Sequence, residues 1–298
     1  MKGQVVVAGL VLLAVLLAFA GCTSTSTTTP SYSVDNNGLL SVTCAPVTAN
    51  ETVLAANSTY TVSRYVLETP TGAVITYLSY PAKPKAVLMY VPGANEKITG
   101  HEDRMLQYAE AGYAFMFVDI RGRGGETDGY AFSPQTDYTK FEQKAWPEYY
   151  LTICDLSSAQ SLLTKKFGVP VYAVGGSNGG RYAAVAAGVD KNFAGYIGVS
   201  TADWGIKDAV VAQGGSGDAL RFAESLEPST YLPTISPRPV WMFHNTTDPI
   251  LPYTEGLALY ATAKDPKTFT TFNGSHGINT EVDDRITDLL AQIYGPQA

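Results

Sequence analysis

The spacing of hydrophobic and polar residues divides the chain into short strands and longer helices from about residue 59 onward. Residues 60–67 and 73–80 alternate between apolar and polar positions, which predicts two half-buried strands joined by the turn at residues 69–72. Residues 86–91 and 113–118 are instead continuous apolar runs. Runs of that kind are typical of strands that are covered by helices on both faces.

The same alternation of strand and helix continues to the end of the chain. Helices are predicted at residues 103–111, 148–166, 181–187, 254–263 and 281–294, and further strands at residues 169–174, 194–199, 239–244 and 268–272. This order predicts an α/β protein with a mostly parallel central sheet and helices on both faces. Residues 201–237, after the strand that ends near Val199, interrupt the rhythm, and we expect them to form a small cap insertion.

The first thirty residues have the pattern of an exported protein. One positive charge at Lys2 precedes an apolar stretch with a single glycine over residues 5–20, which is short for a membrane span and suits a signal peptide. The stretch ends in Ala20-Gly21-Cys22, which resembles a lipoprotein signal. We therefore expect a signal peptide over residues 1–21 and lipid attachment at Cys22. The alternatives are an uncleaved membrane anchor and a plain signal peptide that is cut near Ala20.

All of these alternatives place the rest of the chain outside the cytoplasm. Residues 22–32 are rich in serine and threonine, so they are expected to form a flexible, lipid-anchored stalk. Residues 33–298 then form the folded domain. We expect the protein to lie on the outer face of the cell membrane or to be secreted.

Composition fits a folded protein that does not bind nucleic acid. The 298 residues are 45% hydrophobic and 16% charged, and the chain is long enough for one large α/β domain or two smaller ones. The formal net charge of -7, without a basic block, argues against nucleic acid as a partner.

Export changes the interpretation of the three cysteines. With Cys22 assigned to the lipid, Cys44 and Cys154 can form a disulfide outside the cell. Alternatively, Cys154 is a buried free thiol, because it lies in an apolar helical stretch. Neither residue has a histidine or a second cysteine at zinc-ligand spacing, so we expect no metal site.

A turn of small residues links the strand that ends at Val174 to the alanine-rich helix that follows. Its sequence is Gly175-Gly176-Ser177-Asn178-Gly179. The pattern G-x-S-x-G between a strand and a helix predicts a nucleophile elbow, in which a sharp turn exposes a reactive serine hydroxyl. The same residues also make an ordinary turn, so the pentapeptide alone leaves both interpretations open.

A serine nucleophile needs a base within hydrogen-bonding reach and an acid that orients the base. Of the three histidines, His276 lies in a loop of small residues just past the last predicted strand. Asp248 follows the preceding strand. Open parallel sheets bind ligands at the carboxyl ends of their strands, which is where both residues are expected. The chain order Ser177, Asp248, His276 is the order of the α/β-hydrolases.

From about residue 60 to its end, the sequence resembles α/β-hydrolase-fold proteins, in particular secreted esterases and prolyl-oligopeptidase-like or dienelactone-hydrolase-like enzymes. The stretches that carry the resemblance are YVPGA (90–94), VDIRGRG (118–124), the elbow, and HNTTDPILP (244–252) followed by GSHG (274–277). The resemblance implies a serine hydrolase that cleaves carboxylic esters through an acyl-enzyme. It implies no metal and no organic cofactor.

The resemblance also assigns the chemical steps to individual residues. Ser177 is expected to be the nucleophile, His276 the base and Asp248 the acid. Asp203, one strand earlier, is the alternative acid, because some hydrolases of this fold place it there. Ser177 attacks the ester carbonyl, and the oxyanion that forms needs preorganised hydrogen-bond donors.

Those donors are expected to be the backbone N–H groups of Asn178 and Ala94. Three further residues are expected to have no chemical role. His244 supports the loop of the acid, Arg121 holds neighbouring loops, and His101 is a solvated residue near a helix start or lies on the rim of the cleft.

Trp204 follows a strand end and opens the cap, so it is the aromatic residue best placed to contact substrate, the alternative being simple packing. The expected substrate is a small-molecule ester. One rival function is that of a prolyl-oligopeptidase-like peptidase. The other is that of a non-catalytic surface binding protein that keeps the fold without turnover.

Overall fold

The structure is a computed structural model that describes residues 29–295. The expectations for the signal peptide, for Cys22 and for most of the stalk concern residues outside this range. The strands of the described residues are β1 (Ser31–Val34), β2 (Leu40–Thr43), β3 (Thr48–Ala56), β4 (Thr61–Thr69), β5 (Gly72–Tyr80), β6 (Val87–Val91), β7 (Ala114–Val118), β8 (Val171–Gly176), β9 (Gly195–Val199), β10 (Val240–Asn245) and β11 (Lys267–Phe272).

Helices separate most of the strands from β6 onward. They are α1 (Glu102–Glu110), α2 (Pro134–Glu142), α3 (Glu148–Phe167), α4 (Asn178–Val189), α5 (Ile206–Ala212), α6 (Asp218–Glu224), α7 (Pro228–Ile235), α8 (Tyr253–Thr262) and α9 (Thr280–Tyr294). Over residues 29–295, none of the helices has both the length and the apolar character that a membrane crossing requires.

Nine strands form one sheet in the order β11-β10-β9-β8-β6-β7-β5-β4-β3. The pairs from β11 to β7 are parallel, and the pairs from β7 to β3 are antiparallel. Strands β1 and β2 form a separate antiparallel pair. The predicted α/β architecture with a mostly parallel sheet is therefore confirmed. The predicted strand pair at residues 60–67 and 73–80 corresponds to β4 and β5.

The core lies on both faces of this sheet, which explains the continuous apolar runs. Every residue of β6, β7 and β8 is buried. On one face, side chains of α3 and α4 pack on the sheet, including Leu156 and Ala183. On the other face, α1 and α9 contribute residues such as Met105 and Ile286. The carboxyl ends of the parallel strands are left to the loops that carry the candidate site.

The segment expected to be a cap contains α5, α6 and α7. Tyr231 of α7 lies against α4, since a Cβ placed on Gly188 would be 2.5 Å from the Tyr231 Cβ. Phe222 of α6 packs against Phe141 and Tyr150. The segment therefore lies beside α3 and α4, on one side of the elbow. Its role as a cap over the substrate stays a prediction.

Two cross-connections hold the amino-terminal strands to α3. A disulfide joins Cys44, which follows β2, to Cys154 in α3. The structure therefore contains the pairing that the sequence left open. One residue further along α3, Asp155 accepts hydrogen bonds from the buried guanidinium of Arg121, which also donates to the Thr71 carbonyl in the β4–β5 turn. Arg121 thus holds neighbouring loops, as the sequence analysis expected.

Candidate active site

Ser177 lies at the sharp turn between β8 and α4. Its backbone has φ 51° and ψ -122°, a conformation that non-glycine residues rarely adopt. The Ser177 N–H donates to the Val199 carbonyl at 2.9 Å, and the Thr201 hydroxyl donates to the Ser177 carbonyl at 2.8 Å. The strained turn is therefore held by the end of β9, the neighbouring strand.

The glycines on either side of Ser177 are required by close approach of the backbone. A Cβ on Gly175 would lie 2.4 Å from the Gly179 carbonyl carbon. A Cβ on Gly179 would lie 2.0 Å from the Val91 carbonyl oxygen. Neither position has room for a larger residue. As a result, α4 starts directly against the end of β6, beside the loop that contains Ala94.

Asp248 and His276 form a direct pair at the ends of β10 and β11. The His276 Nδ1 lies 2.8 Å from Oδ2 and 2.9 Å from Oδ1 of Asp248. The Asp248 side chain is fully inaccessible, and its Oδ1 also accepts the N–H groups of Ile250 and Leu251. Burial alone would raise the pKa of Asp248, but these N–H groups and His276 outweigh it and leave the pKa lowered.

An ionised Asp248 on Nδ1 leaves the other ring nitrogen of His276 for proton transfer. The loop that carries His276 is attached to β10, because the Asn245 amide donates to the Gly274 carbonyl at 2.6 Å. The same loop reaches the elbow, since a Cβ on Gly176 would lie 3.9 Å from the Ile278 nitrogen.

The structure therefore brings the acid and the base together and places the loop of the base beside Gly176, the residue before the serine. Among the hydrogen bonds of residues 29–295, none joins the Ser177 hydroxyl to His276. Bonds of this kind are often long until substrate binds.

Asp203, the alternative acid, is engaged elsewhere. Its Oδ1 accepts the N–H of Ser229 at the start of α7, at 2.8 Å. Burial raises the pKa of Asp203. The carboxylate that contacts His276 is that of Asp248.

The two expected oxyanion donors lie on neighbouring segments. Asn178 is the first residue of α4, and the first N–H groups of a helix have no partner within the helix. The positive end of the helix dipole points the same way. Ala94 lies in the loop after β6, against which α4 begins, and is exposed. The shared role of these two amides in an oxyanion hole stays a prediction.

His244 is fully buried beneath the loop of the acid. Its Nε2 is 3.0 Å from the Leu251 carbonyl oxygen and 3.9 Å from Asp248 Oδ2. A Cβ on Gly256 of α8 would lie 2.2 Å from the His244 ring, so that helix closes over it. His244 therefore supports the acid loop, as expected.

Sequence reasoning missed Arg181, which organises the other side of the elbow. Its guanidinium donates to the carbonyls of Ala202 and Asp203 at 2.8 and 2.9 Å and to the Asn178 side-chain oxygen at 2.6 Å. It also stacks on Trp204 at 4.3 Å from the ring centre. The available signal was a single charged residue, one turn after Ser177, in a helix that has no other charged residue.

Sequence reasoning also missed Glu96 and misplaced His101. Glu96 Oε2 accepts the Tyr90 hydroxyl at 2.7 Å and the Gly93 N–H at 2.9 Å, and it lies 3.3 Å from His101 Nε2. The expectation of a solvated His101 is wrong, because the residue is 3% exposed. Its ring packs against Tyr90 of β6 and Phe117 of β7.

Trp204 is half-buried and packed on several sides. Its ring contacts Phe132, Tyr149 and Tyr182, in addition to Arg181. It also lines a cavity of about 700 Å³ together with Leu251 of the acid loop. Both the packing role and the substrate role remain compatible with this position. Within residues 29–295, no group of three or more histidine, cysteine or acidic side chains is arranged to hold a metal ion.

Neither a protein-family model nor a curated protein sequence matches this chain. Several solved structures do resemble it. The acetyl xylan esterase from Paenibacillus sp. R4 has a TM-score of 0.67 and 17% sequence identity, over 84% of this chain and 89% of its own. Acetyl xylan esterase 1 from Thermoanaerobacterium sp. JW/SL YS485 has a TM-score of 0.65 and 12% identity over the same shares, 84% and 89%.

A third similar structure is a cold-adapted esterase from an Arctic intertidal metagenomic library. It has a TM-score of 0.60 and 18% identity, over 82% of this chain and 98% of its own. At such low sequence identity, these likenesses establish a shared fold.

Proposed function

We infer that this chain, which has the α/β-hydrolase fold, is a serine hydrolase that cleaves carboxylic esters through an acyl-enzyme. The observation that carries the proposal is the meeting of three loops at one edge of the sheet. Ser177 lies there in a strained turn, His276 is hydrogen-bonded to a buried, ionised Asp248, and the loop that carries His276 approaches Gly176, the residue before the serine. Acyl transfer through an acyl-enzyme is the chemistry that this combination serves, and the esterase neighbours favour an ester as the acyl donor.

In the proposed mechanism, the Ser177 hydroxyl attacks the ester carbonyl carbon while His276 accepts its proton. The negative charge moves to the carbonyl oxygen, which the N–H groups of Asn178 and Ala94 stabilise. The intermediate collapses, His276 returns the proton to the departing alcohol, and the acyl group stays on Ser177. His276 then takes a proton from water, whose oxygen attacks the acyl carbonyl carbon. When the bond to Ser177 breaks, His276 returns this proton to the serine oxygen, and the carboxylic acid leaves.

The names of the structural neighbours favour an ester with a short acyl group. Two of the neighbours named above are acetyl xylan esterases, so we propose acetyl and other short acyl esters as the first substrates to test. The rival functions are a prolyl-oligopeptidase-like peptidase and a binding protein without turnover.

Labelling with a fluorophosphonate tests the proposal, because the reagent reacts with an activated serine. We expect one label per chain, located at Ser177 by mass spectrometry, and no label on the Ser177→Ala variant. Hydrolysis of p-nitrophenyl acetate without cleavage of a prolyl p-nitroanilide would favour the esterase over the peptidase. A folded wild-type protein that takes up no label would favour the binding protein.

We also propose that the enzyme acts outside the cytoplasm, attached through a lipid on Cys22. The disulfide between Cys44 and Cys154 supports this, because disulfides persist mainly in oxidising compartments. Mass spectrometry of the membrane-extracted protein should find a first peptide that begins at Cys22 and carries added lipid mass. A peptide that runs unbroken through Cys22 from upstream residues would support an uncleaved anchor instead.

A further inference from the structure

A chain of buried and half-buried polar groups leads away from the loop that carries Ala94. We call Glu96, His101, Arg104 and Asp283 the buried relay. Glu96 Oε2 is 3.3 Å from His101 Nε2, and His101 Nδ1 is 2.6 Å from Arg104 Nη1. Arg104 Nε lies 2.9 Å from both carboxylate oxygens of Asp283 in α9. The relay therefore connects the loop after β6 with the last helix.

The chemistry of arginine fixes the direction of these hydrogen bonds. A guanidinium has only donors, so His101 Nδ1 must accept from Arg104. The ring proton of a neutral His101 is then on Nε2, which donates to Glu96. Along the relay, a negative carboxylate is therefore followed by a neutral ring, a positive guanidinium and a second negative carboxylate. Each polar contact pairs a donor with an acceptor.

Burial makes the arrangement specific. His101 is 3% exposed, the side chains of Asp283 and Arg104 are 9% and 13% exposed, and that of Glu96 is 28% exposed. The Tyr108 hydroxyl adds a hydrogen bond to Asp283 at 3.1 Å. Buried charges that lose a partner are costly, so such a network strongly disfavours other arrangements of the segments that it joins.

Both active-site loops are attached to this relay. On the oxyanion side, Glu96 accepts the N–H of Gly93, the residue before Ala94. On the histidine side, Arg104 donates to the carbonyl of Ile278 at 3.2 Å, two residues beyond His276. In addition, a Cβ on Gly277 would lie 3.6 Å from Glu96 Oε1, so the Glu96 carboxylate lies between the two loops.

We propose that Glu96 is a positioning residue for ester hydrolysis, which acts through the buried relay to hold the Ala94 loop and the His276 loop in register with Ser177. This inference rests on the proposed function. Glu96 touches no reacting atom. Its effect comes from geometry, because a displacement of a catalytic group by about 1 Å can lower turnover by about 10²-fold.

The charge state of Glu96 is consistent with this role. Burial would raise the pKa of Glu96, but His101, the Tyr90 hydroxyl and the Gly93 N–H outweigh it and leave the pKa lowered. The carboxylate thus keeps its acceptor capacity at neutral pH.

The test compares Glu96→Ala, Glu96→Gln and the control Glu102→Ala, which removes an exposed glutamate six residues further along the chain. Turnover of p-nitrophenyl acetate is expressed per active site, counted by fluorophosphonate titration. We expect Glu96→Ala to lower kcat by roughly 10- to 100-fold with KM changed by no more than about two-fold. Glu96→Gln should retain most of the wild-type kcat, because its amide oxygen can still accept hydrogen bonds from Tyr90, Gly93 and His101. Glu102→Ala should have no effect.

A trifluoromethyl ketone, which forms a tetrahedral oxyanion on the serine, gives the second readout. Its affinity should fall in Glu96→Ala in parallel with kcat/KM. If Glu96→Ala does not fold, His101→Phe replaces it, since this change keeps the aromatic packing and interrupts the relay. Equal turnover per titrated site in the folded variant and the wild type would overturn the inference while leaving the proposed function intact. A wild-type protein without label or turnover would overturn both.

Discussion

Two glutamates on opposite sides of the elbow, the half-buried Glu96 and the buried Glu227, have opposite electrostatic environments. We call the loop after β6 with its relay the oxyanion side, and residues 201–237 the cap side. On the oxyanion side, the pKa of Glu96 is lowered because its hydrogen-bond donors outweigh burial. On the cap side, burial and then the Asp203 carboxylate raise the pKa of Glu227 to about 7.

The difference lies in what surrounds each carboxylate. Glu96 contacts His101, which in turn contacts the guanidinium of Arg104. Glu227 accepts the backbone N–H groups of Trp204 and Lys207, but it lies near a second buried acid, Asp203. We therefore expect the Glu96 carboxylate on the oxyanion side to stay ionised and held in place. The cap side gains a destabilising charge as the pH approaches neutrality.

The two sides are expected to differ in their part in catalysis. Two of the groups proposed to act in catalysis, Ala94 and His276, belong to loops that the relay contacts. The cap side contains Trp204 and three short helices, α5, α6 and α7, and has no part in the proposed proton transfers. Substitutions on the two sides should therefore differ in the measured property that they alter.

The largest expected difference concerns the two candidate acids. Asp248→Asn should lower kcat by roughly 10³- to 10⁴-fold, because an amide no longer favours the required tautomer of His276. Asp203→Asn, the same change on the cap side, should have a far smaller effect, since Asp203 bonds to Ser229. Both are measured as steady-state hydrolysis of p-nitrophenyl acetate. A crippling Asp203→Asn with a mild Asp248→Asn would move the acid to the cap side.

The next effect is on stability as a function of pH. The folded pKa of Glu227 is about 7, above its ordinary value of 4.5, so the folded state binds a proton that the unfolded state has released. The free energy of unfolding should therefore fall as pH rises between these values, by up to about 1.4 kcal/mol per pH unit from this group. Glu227→Gln should flatten that slope in urea titrations at several pH values. The exposed Glu255→Gln is the control, and equal slopes in all three proteins would refute the assignment.

Much of the fold could be predicted from the sequence, because burial leaves a pattern. The strands β6 and β7 are buried on both faces and form continuous apolar runs. The same pattern is absent from β3, which is exposed along its whole length at the edge of the sheet, and no strand was predicted there. Helices α5 and α6 have seven residues each, too few for a helical period to stand out.

The residues of the candidate site likewise fall into those that the sequence predicts and those that it does not. Ser177, Asp248 and His276 could be found because their loops follow strands in a recognisable order. Glu96 and Arg181 could not, since their roles depend on contacts that only the folded chain creates. Arg104 and Asp283, for example, meet across 179 positions of the sequence. His101 was misplaced because nothing local indicates that Tyr90 and Phe117 enclose its ring.

The smallest expected effect concerns acyl-chain selection on the cap side. If Trp204 lines the acyl site, Trp204→Ala should open space and shift the preferred acyl length upward, with little loss for acetate. Each additional methylene that is buried contributes about 0.8 kcal/mol. The measurement is kcat/KM for acetate, butyrate, hexanoate and octanoate esters. Trp146→Ala, the same change beside the disulfide, is the control, and superimposable profiles for wild type and Trp204→Ala would make Trp204 a packing residue.

The central claim is that Ser177 is the nucleophile, and one pair of variants tests it most directly. Ser177→Ala and Ser200→Ala remove the hydroxyls of two serines that both have positive φ, at the ends of neighbouring strands. We expect Ser177→Ala to abolish hydrolysis of p-nitrophenyl acetate with an almost unchanged thermal transition, and Ser200→Ala to stay active. A folded Ser177→Ala protein that kept even about a tenth of wild-type turnover would contradict the account, because loss of a triad nucleophile costs far more than ten-fold.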